Sequence, residues 1–180
     1  MIEEAGSGIE TVRSSVSFVL GDDRDLENLV LIGTGDIDGT GGESFNEIRG
    51  TIGDNSLFGL YGDDVLRGGA GNDSLYGGLG FDLLVGGAGE DGFYLDHLST
   101  QTGTGWAIAE ISDFTPAHDT IYLDRTAFPG LPEGPLPESA FQTIPAGDGR
   151  TSPLRSSEVR IFYDPQERND CSFVSAECST

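Results

Sequence analysis

Residues 68–94 read GGAGNDSLYGGLGFDLLVGGAGEDGFY, one nine-residue phrase three times over. At the same period the pattern runs back through GLYGDDVLR (59–67), GTIGDNSLF (50–58) and GGESFNEIR (41–49). All copies open on glycine, at Gly41, Gly50, Gly59, Gly68, Gly77 and Gly86. The sixth position carries Asn46, Asn55, Asp64, Asp73, Asp82 and Asp91, and the eighth Ile48, Leu57, Leu66, Leu75, Leu84 and Phe93. A Gly-rich flexible linker has no reason to hold an apolar residue in phase over 41–94. Such a repeat must be read before anything else, because it sets the architecture.

The first six positions of the phrase are turn residues, with glycine opening backbone angles that other residues avoid. The last three read as a short strand whose middle residue points inward. A strand that short cannot stand alone. Stacked on its own copies about 4.8 Å apart, it becomes one rung of a parallel ladder. Two phrases then make one coil, and residues 18 apart must share a face. Position nine obeys, with Phe58, Tyr76 and Tyr94 on one sheet and Arg49, Arg67 and Val85 on the other. Position seven divides likewise into Ser56, Ser74 and Gly92 against Glu47, Val65 and Leu83. The expected fold is all-β: a parallel β-solenoid with Gly/Asp turns at its edges and a thin core of eighth-position side chains.

In that coil Asp64 and Asp82 lie on adjacent turns of one edge, and Asp73 and Asp91 on the other, with Asn46 and Asn55 extending the two rows. Carboxylates a few ångströms apart repel by roughly 4 kcal/mol at an effective dielectric near 20. Residues 41–94 hold nine acids against only Arg49 and Arg67. A divalent cation between turns resolves the conflict. The block offers carboxylate and carbonyl oxygens and no Cys or His, which suits calcium better than zinc, copper or magnesium. The whole chain agrees: 31 acids face 9 basic residues, all Arg, for a net charge of −22. That charge opposes nucleic acid and anionic membrane as partners.

With these motifs in view, residues 41–94 resemble the nonapeptide array of the RTX, or hemolysin-type, calcium-binding proteins. The resemblance implies a parallel β-roll with calcium held between successive turns, like the roll of serralysin-like secreted proteins. By position it makes Asp64, Asp73, Asp82 and Asp91 carboxylate ligands. It adds carbonyls around Gly62, Gly69, Gly71, Gly78, Gly80, Gly87 and Gly89. Asn46 and Asn55 replace the acid, and Ser44, Thr51 and Leu60 replace glycine, so two good sites and two weaker ones are expected. The flanks are similar to the same family: 8–41 to the spacer before such arrays, and ISDFTPAHDTIYLD (111–124) to the capping segment after them. The cap makes Asp113 and Asp119 further possible ligands, against the alternative that they cap a turn.

The chain therefore divides into a looser coil (1–40), the roll (41–94), cap strands (95–127), a Pro-rich segment with a last strand (128–165) and a divergent tail (166–180). ETVRSSVSFVL (10–20) alternates like a single strand, and EVRIFYD (158–164) is the last candidate strand. No apolar run approaches the roughly 18 residues of a membrane span, and the N-terminus lacks a cleavable signal pattern. The resemblance implies export by type I secretion, although QERNDCSFVSAECST (166–180) departs from the family's usual ending and holds both cysteines, Cys171 and Cys178. His97 and His118 stand alone, no zinc-protease His-Glu-x-x-His occurs, and no nucleophile–base pair stands out. The expected function is a non-catalytic, calcium-folded module, secreted or on a cell surface. The alternatives are an accessory domain of a secreted protease, lipase or polysaccharide epimerase, or an adhesive module that binds carbohydrate through Phe58, Tyr76 and Tyr94.

Overall fold

The computed structural model describes residues 8–21, 26–95 and 108–123, together with the backbone of three strands within 141–177. Strands β1 (Thr11–Ser14), β3 (Asn28–Leu31), β5 (Glu47–Arg49), β7 (Val65–Ala70), β9 (Phe81–Ala88) and β11 (Ile108–Ile111) form one parallel run. Strands β2 (Phe18–Val19), β4 (Gly39–Thr40), β6 (Ser56–Tyr61), β8 (Ser74–Leu79), β10 (Gly92–Leu95) and β12 (Thr120–Leu123) form the other. The chain crosses from one sheet to the other at every turn, which makes a β-solenoid. The first sheet continues past β11 through β15 (Ser172–Glu177), β14 (Glu158–Tyr163) and β13 (Phe141–Thr143), the last two pairings antiparallel.

Register follows the repeat. Glu47 lies opposite Val65, Val65 opposite Leu83, Ser56 opposite Ser74, and Ser74 opposite Gly92, each pair 18 apart in sequence. Outside the block the coil is less regular, with Thr11 opposite Asn28, Phe18 opposite Gly39, and Gly92 opposite Thr120. The strands also outrun the three residues expected of them. Leu60 pairs Gly78 and Ala70 pairs Ala88, so the ladder carries on into the turns.

The eighth-position row forms the core: Ile48, Leu57, Leu66, Leu75, Leu84 and Phe93 are fully buried, joined by Leu29 and Ile111 from the flanking coils. A buried Leu contributes roughly 1.5–3 kcal/mol relative to exposure. Outside the core the ninth-position rings stack as expected, Phe58 on Tyr76 at 4.5 Å and Tyr76 on Tyr94 at 4.2 Å. Tyr122 of β12 adds a further ring at 4.4 Å.

Two expectations need correction. Residues 10–20 are not one strand. The chain breaks between β1 and β2, where the Ser14 hydroxyl donates to the Val16 carbonyl and accepts from its N–H. The two pieces join different sheets, and Val16 between them is exposed. Within 166–180, Ser172–Glu177 is a strand lying parallel to β11. Both cysteines and His97 lie outside the described residues.

Candidate metal centre

Each edge turn carries its sixth-position side chain inward, where Asp64, Asp73, Asp82 and Asp91 are 1 to 4% exposed. A buried carboxylate needs partners, and the coil supplies one from the turn below. Asn46 N–H donates to Asp64 Oδ1 at 2.7 Å, Asn55 N–H to Asp73 Oδ1 at 2.8 Å, and Asp64 and Asp73 N–H to Asp82 and Asp91 Oδ1 at 2.9 Å. The second oxygen is different. Asp64 Oδ2 and Asp73 Oδ2 are buried with no hydrogen-bond partner. They sit in a crevice that exists only because the phrase opens on glycine. A Cβ on Gly59 would meet Asp64 Oδ2 and the Gly77 carbonyl oxygen, and one on Gly68 would meet Asp73 Oδ2 and the Gly86 carbonyl oxygen. Oxygens thus face oxygens with no donor between them.

Electrostatics sharpen the conflict. Burial, opposed in part by the Asn46 N–H bond and reinforced by Asp82 and Asp63, raises the Asp64 carboxyl to about 8. Burial likewise raises Asp73 to about 7, against the Asn55 N–H bond and with Asp91 and Asp54 adding to it. Asp82 and Asp91 rise to about 6, again mainly through burial. The two arginines of the block do not relieve this, since Arg49 and Arg67 both lie on Glu47, at 2.6 and 3.5 Å.

The backbone is shaped to supply further oxygens. Gly62, Gly69, Gly71, Gly78, Gly80, Gly87 and Gly89, all named from sequence as carbonyl donors, have positive φ, and so does Leu60 at 79°. At Gly80 and Gly89 an added Cβ would fall on the carbonyl oxygens of Gly62 and Gly71 in the coil below. Among the described residues no three His, Cys, Asp or Glu side chains converge at metal distance. A cation here would draw on carboxylate and main-chain carbonyl oxygens together. That donor set is all hard oxygen, in a turn that can flex, and it fits calcium.

The remaining candidates behave differently. Asp113 accepts from Gly86 and Gly87 N–H at 3.0 and 2.7 Å, and Asp119 from Asp91 and Thr115 N–H at 3.1 and 2.6 Å. These bonds are what turn capping provides, and Asp113 is raised by burial with the two glycine N–H bonds opposing. The Asn46 and Asn55 amides are likewise bonded to main chain. Sequence reading missed the fifth position. Asp36, Asp54, Asp63 and Asn72 each accept an N–H one coil on, from Asp54, Asn72, Phe81 and Glu90 at 2.6 to 2.9 Å. The signal was present as an acid or amide at that place in four of the six copies, Asp54, Asp63, Asn72 and Glu90.

Gly/Asp turns stacked at both edges of a parallel β-solenoid, with buried carboxylates facing carbonyl oxygens, define a calcium-binding β-roll. Residues 40–75 and 67–96 match the RTX calcium-binding nonapeptide repeat, four copies. That stretch carries RTX calcium-binding repeats within a β-roll, which indicates a calcium-binding module. Among solved structures it is similar to the AlgE6R3 subunit of the Azotobacter vinelandii mannuronan C5-epimerase. The two are 28% identical over 89% of this chain and 77% of that one, with a TM-score of 0.52. No curated protein gives a significant match.

Proposed function

We propose that this module is non-catalytic, belongs to a secreted or cell-surface protein, and folds when calcium enters the crevices between its coils. Two sites carry the reading. One lies between the turns of Asp64 and Asp82 and uses carbonyls around Gly62, Gly78 and Gly80. The other lies between those of Asp73 and Asp91 and uses carbonyls around Gly69, Gly71, Gly87 and Gly89. Calcium supplies there the positive charge that the chain's own arginines do not. The observation that carries the proposal is the orphaned buried oxygen on Asp64 and Asp73. A chain of this charge is held open in calcium-poor cytoplasm and closes in external millimolar calcium, for which site affinities of roughly 10⁻⁴ to 10⁻³ M are suited. This order of events matches export by type I secretion before folding.

Circular dichroism in calcium against chelator tests the reading. Calcium is expected to produce a cooperative gain of β-structure that D73A and D82A weaken. An identical spectrum in chelator, or a transition indifferent to both substitutions, would overturn it.

A second reading, an accessory module of a polysaccharide-modifying enzyme, is supported by the likeness to a mannuronan epimerase subunit. Calorimetric titration of the calcium-loaded chain with mannuronan distinguishes it, and no heat of binding would count against it. The aromatic column is a poor platform for such a ligand. The faces of Tyr76 and Tyr94 are already used on neighbouring rings at 4.2 to 4.5 Å, and along the column a sugar would meet mainly edges.

A further inference from the structure

Asn46 and Asn55 stand at the same position as Asp64 and Asp73, one coil below, in unbroken register. Their crevices are closed in another way. The Asn46 amide oxygen accepts from Gly42 N–H at 2.8 Å, while its Nδ2 donates to the carbonyls of Leu26 at 3.0 Å and Glu27 at 3.3 Å. Asn55 repeats this on the opposite edge, its oxygen accepting from Thr51 N–H at 2.6 Å and its Nδ2 donating to the Ile37 carbonyl at 2.7 Å. An amide is donor and acceptor at once, whereas a carboxylate only accepts. The Asn side chain can therefore satisfy carbonyls that an Asp would leave facing bare oxygen.

The main chain changes at the same step. At positions two and four of the first two phrases, Gly42, Ser44, Thr51 and Gly53 have no positive φ. From Leu60 to Gly89 all eight such positions have it. Thr51 adds further closure, donating its hydroxyl to the Gly35 carbonyl and accepting from Gly53 N–H, both at 2.9 Å. Asp36 and Asp38 cap Asp54 and Ser56 N–H at 2.9 Å. Side chain and backbone thus switch together, on both edges, between the second and third phrases.

We infer that Asn46 and Asn55 are built-in replacements for the ion: the coils up to Phe58 close without calcium and form the base on which the calcium-dependent coils from Gly59 onward assemble. This rests on the calcium reading of the Asp64 and Asp73 columns. In a stack where each coil touches only its neighbours, the first coil is the hardest to form and later ones add on a template. An ion-free base moves that first step out of the calcium-dependent reaction. Calcium then adds order in one direction, away from the two asparagines, and these residues rather than the aspartates set where the array begins.

Hydrogen exchange read by mass spectrometry on the full 180-residue chain, in EDTA and in millimolar calcium, tests this. In EDTA the amides of Asn28, Ile32 and Glu47, bonded to Glu10, Ser14 and Glu27, are expected to exchange roughly tenfold or more slowly than those of Leu83 and Gly92, bonded to Asp64 and Asp73. Calcium should bring the second group level with the first. In N46D/N55D, whose folding in calcium serves as its control, the lower amides should join the calcium-dependent set. Equal loss of protection in both groups in EDTA overturns the inference and leaves calcium folding intact. Full protection of both in EDTA overturns the calcium reading beneath it. An N46D/N55D pattern identical to the parent refutes the role given to the amides.

Discussion

Acid should substitute for calcium. Burial raises the four sixth-position carboxyls from 3.8 to about 6 for Asp82 and Asp91, about 7 for Asp73 and about 8 for Asp64. A group whose pKa is higher folded than unfolded gives stability that is complete below the unfolded value and is lost as pH rises through the folded one. Each pH unit of difference is worth about 1.4 kcal/mol. Asp82 alone, 4% exposed and raised to about 6, then costs the calcium-free fold on the order of 3 kcal/mol at pH 7.5 relative to acid. Asp64 and Asp73 cost more, and because neighbouring carboxylates share a field the four do not simply add. Two such groups already rival the 5–15 kcal/mol of an ordinary domain. In chelator the chain should hold its β-structure near pH 5 and lose it between about pH 6 and 8. Calcium binds the deprotonated carboxylate, so its affinity should rise over that same interval. The assay is far-ultraviolet circular dichroism after exhaustive chelation, scanned from pH 5 to 8.5 and repeated in calcium and in D64N/D73N. A chelated chain equally folded across that range, or one that gains order as pH rises, would refute the reasoning. The same holds if D64N/D73N leaves the pH profile unchanged.

Three further outcomes follow from single positions. Leu60 holds φ at 79° with its side chain well exposed, so L60G should stabilise the calcium-loaded roll by about 1 kcal/mol and lower the calcium midpoint; a fall in melting temperature would contradict this. G80A places a methyl on the Gly62 carbonyl at a positive φ and should cost about 2 kcal/mol or more, read as a higher calcium midpoint by titration. Y76A removes the ring between Phe58 and Tyr94 and should cost about 1–3 kcal/mol in thermal unfolding while the calcium transition persists; loss of that transition would mean the column does more than brace the sheet.

The period of nine, with glycine first, acid sixth and an apolar residue eighth, was enough to place Leu57, Leu66 and Leu75 in the core, Phe58 and Tyr76 on one outer face, and Asp64 with Asp82 on one edge. Periodicity along a chain becomes periodicity in space when every coil repeats its predecessor, so one dimension sufficed. The rest depended on partners that no spacing names. Which carbonyl the Asn55 amide meets is one such case: it is that of Ile37, in a coil outside the repeat. Asp113 and Asp119 are acids in a family-like cap, yet only the fold brings them to the N–H groups of Gly86, Gly87, Asp91 and Thr115. The break between β1 and β2 likewise needed a serine hydroxyl to meet a backbone group two residues away. Composition and period state how many charges must be accommodated and on which edge; hydrogen bonding in three dimensions decides which of them the chain satisfies itself and which it leaves to an ion.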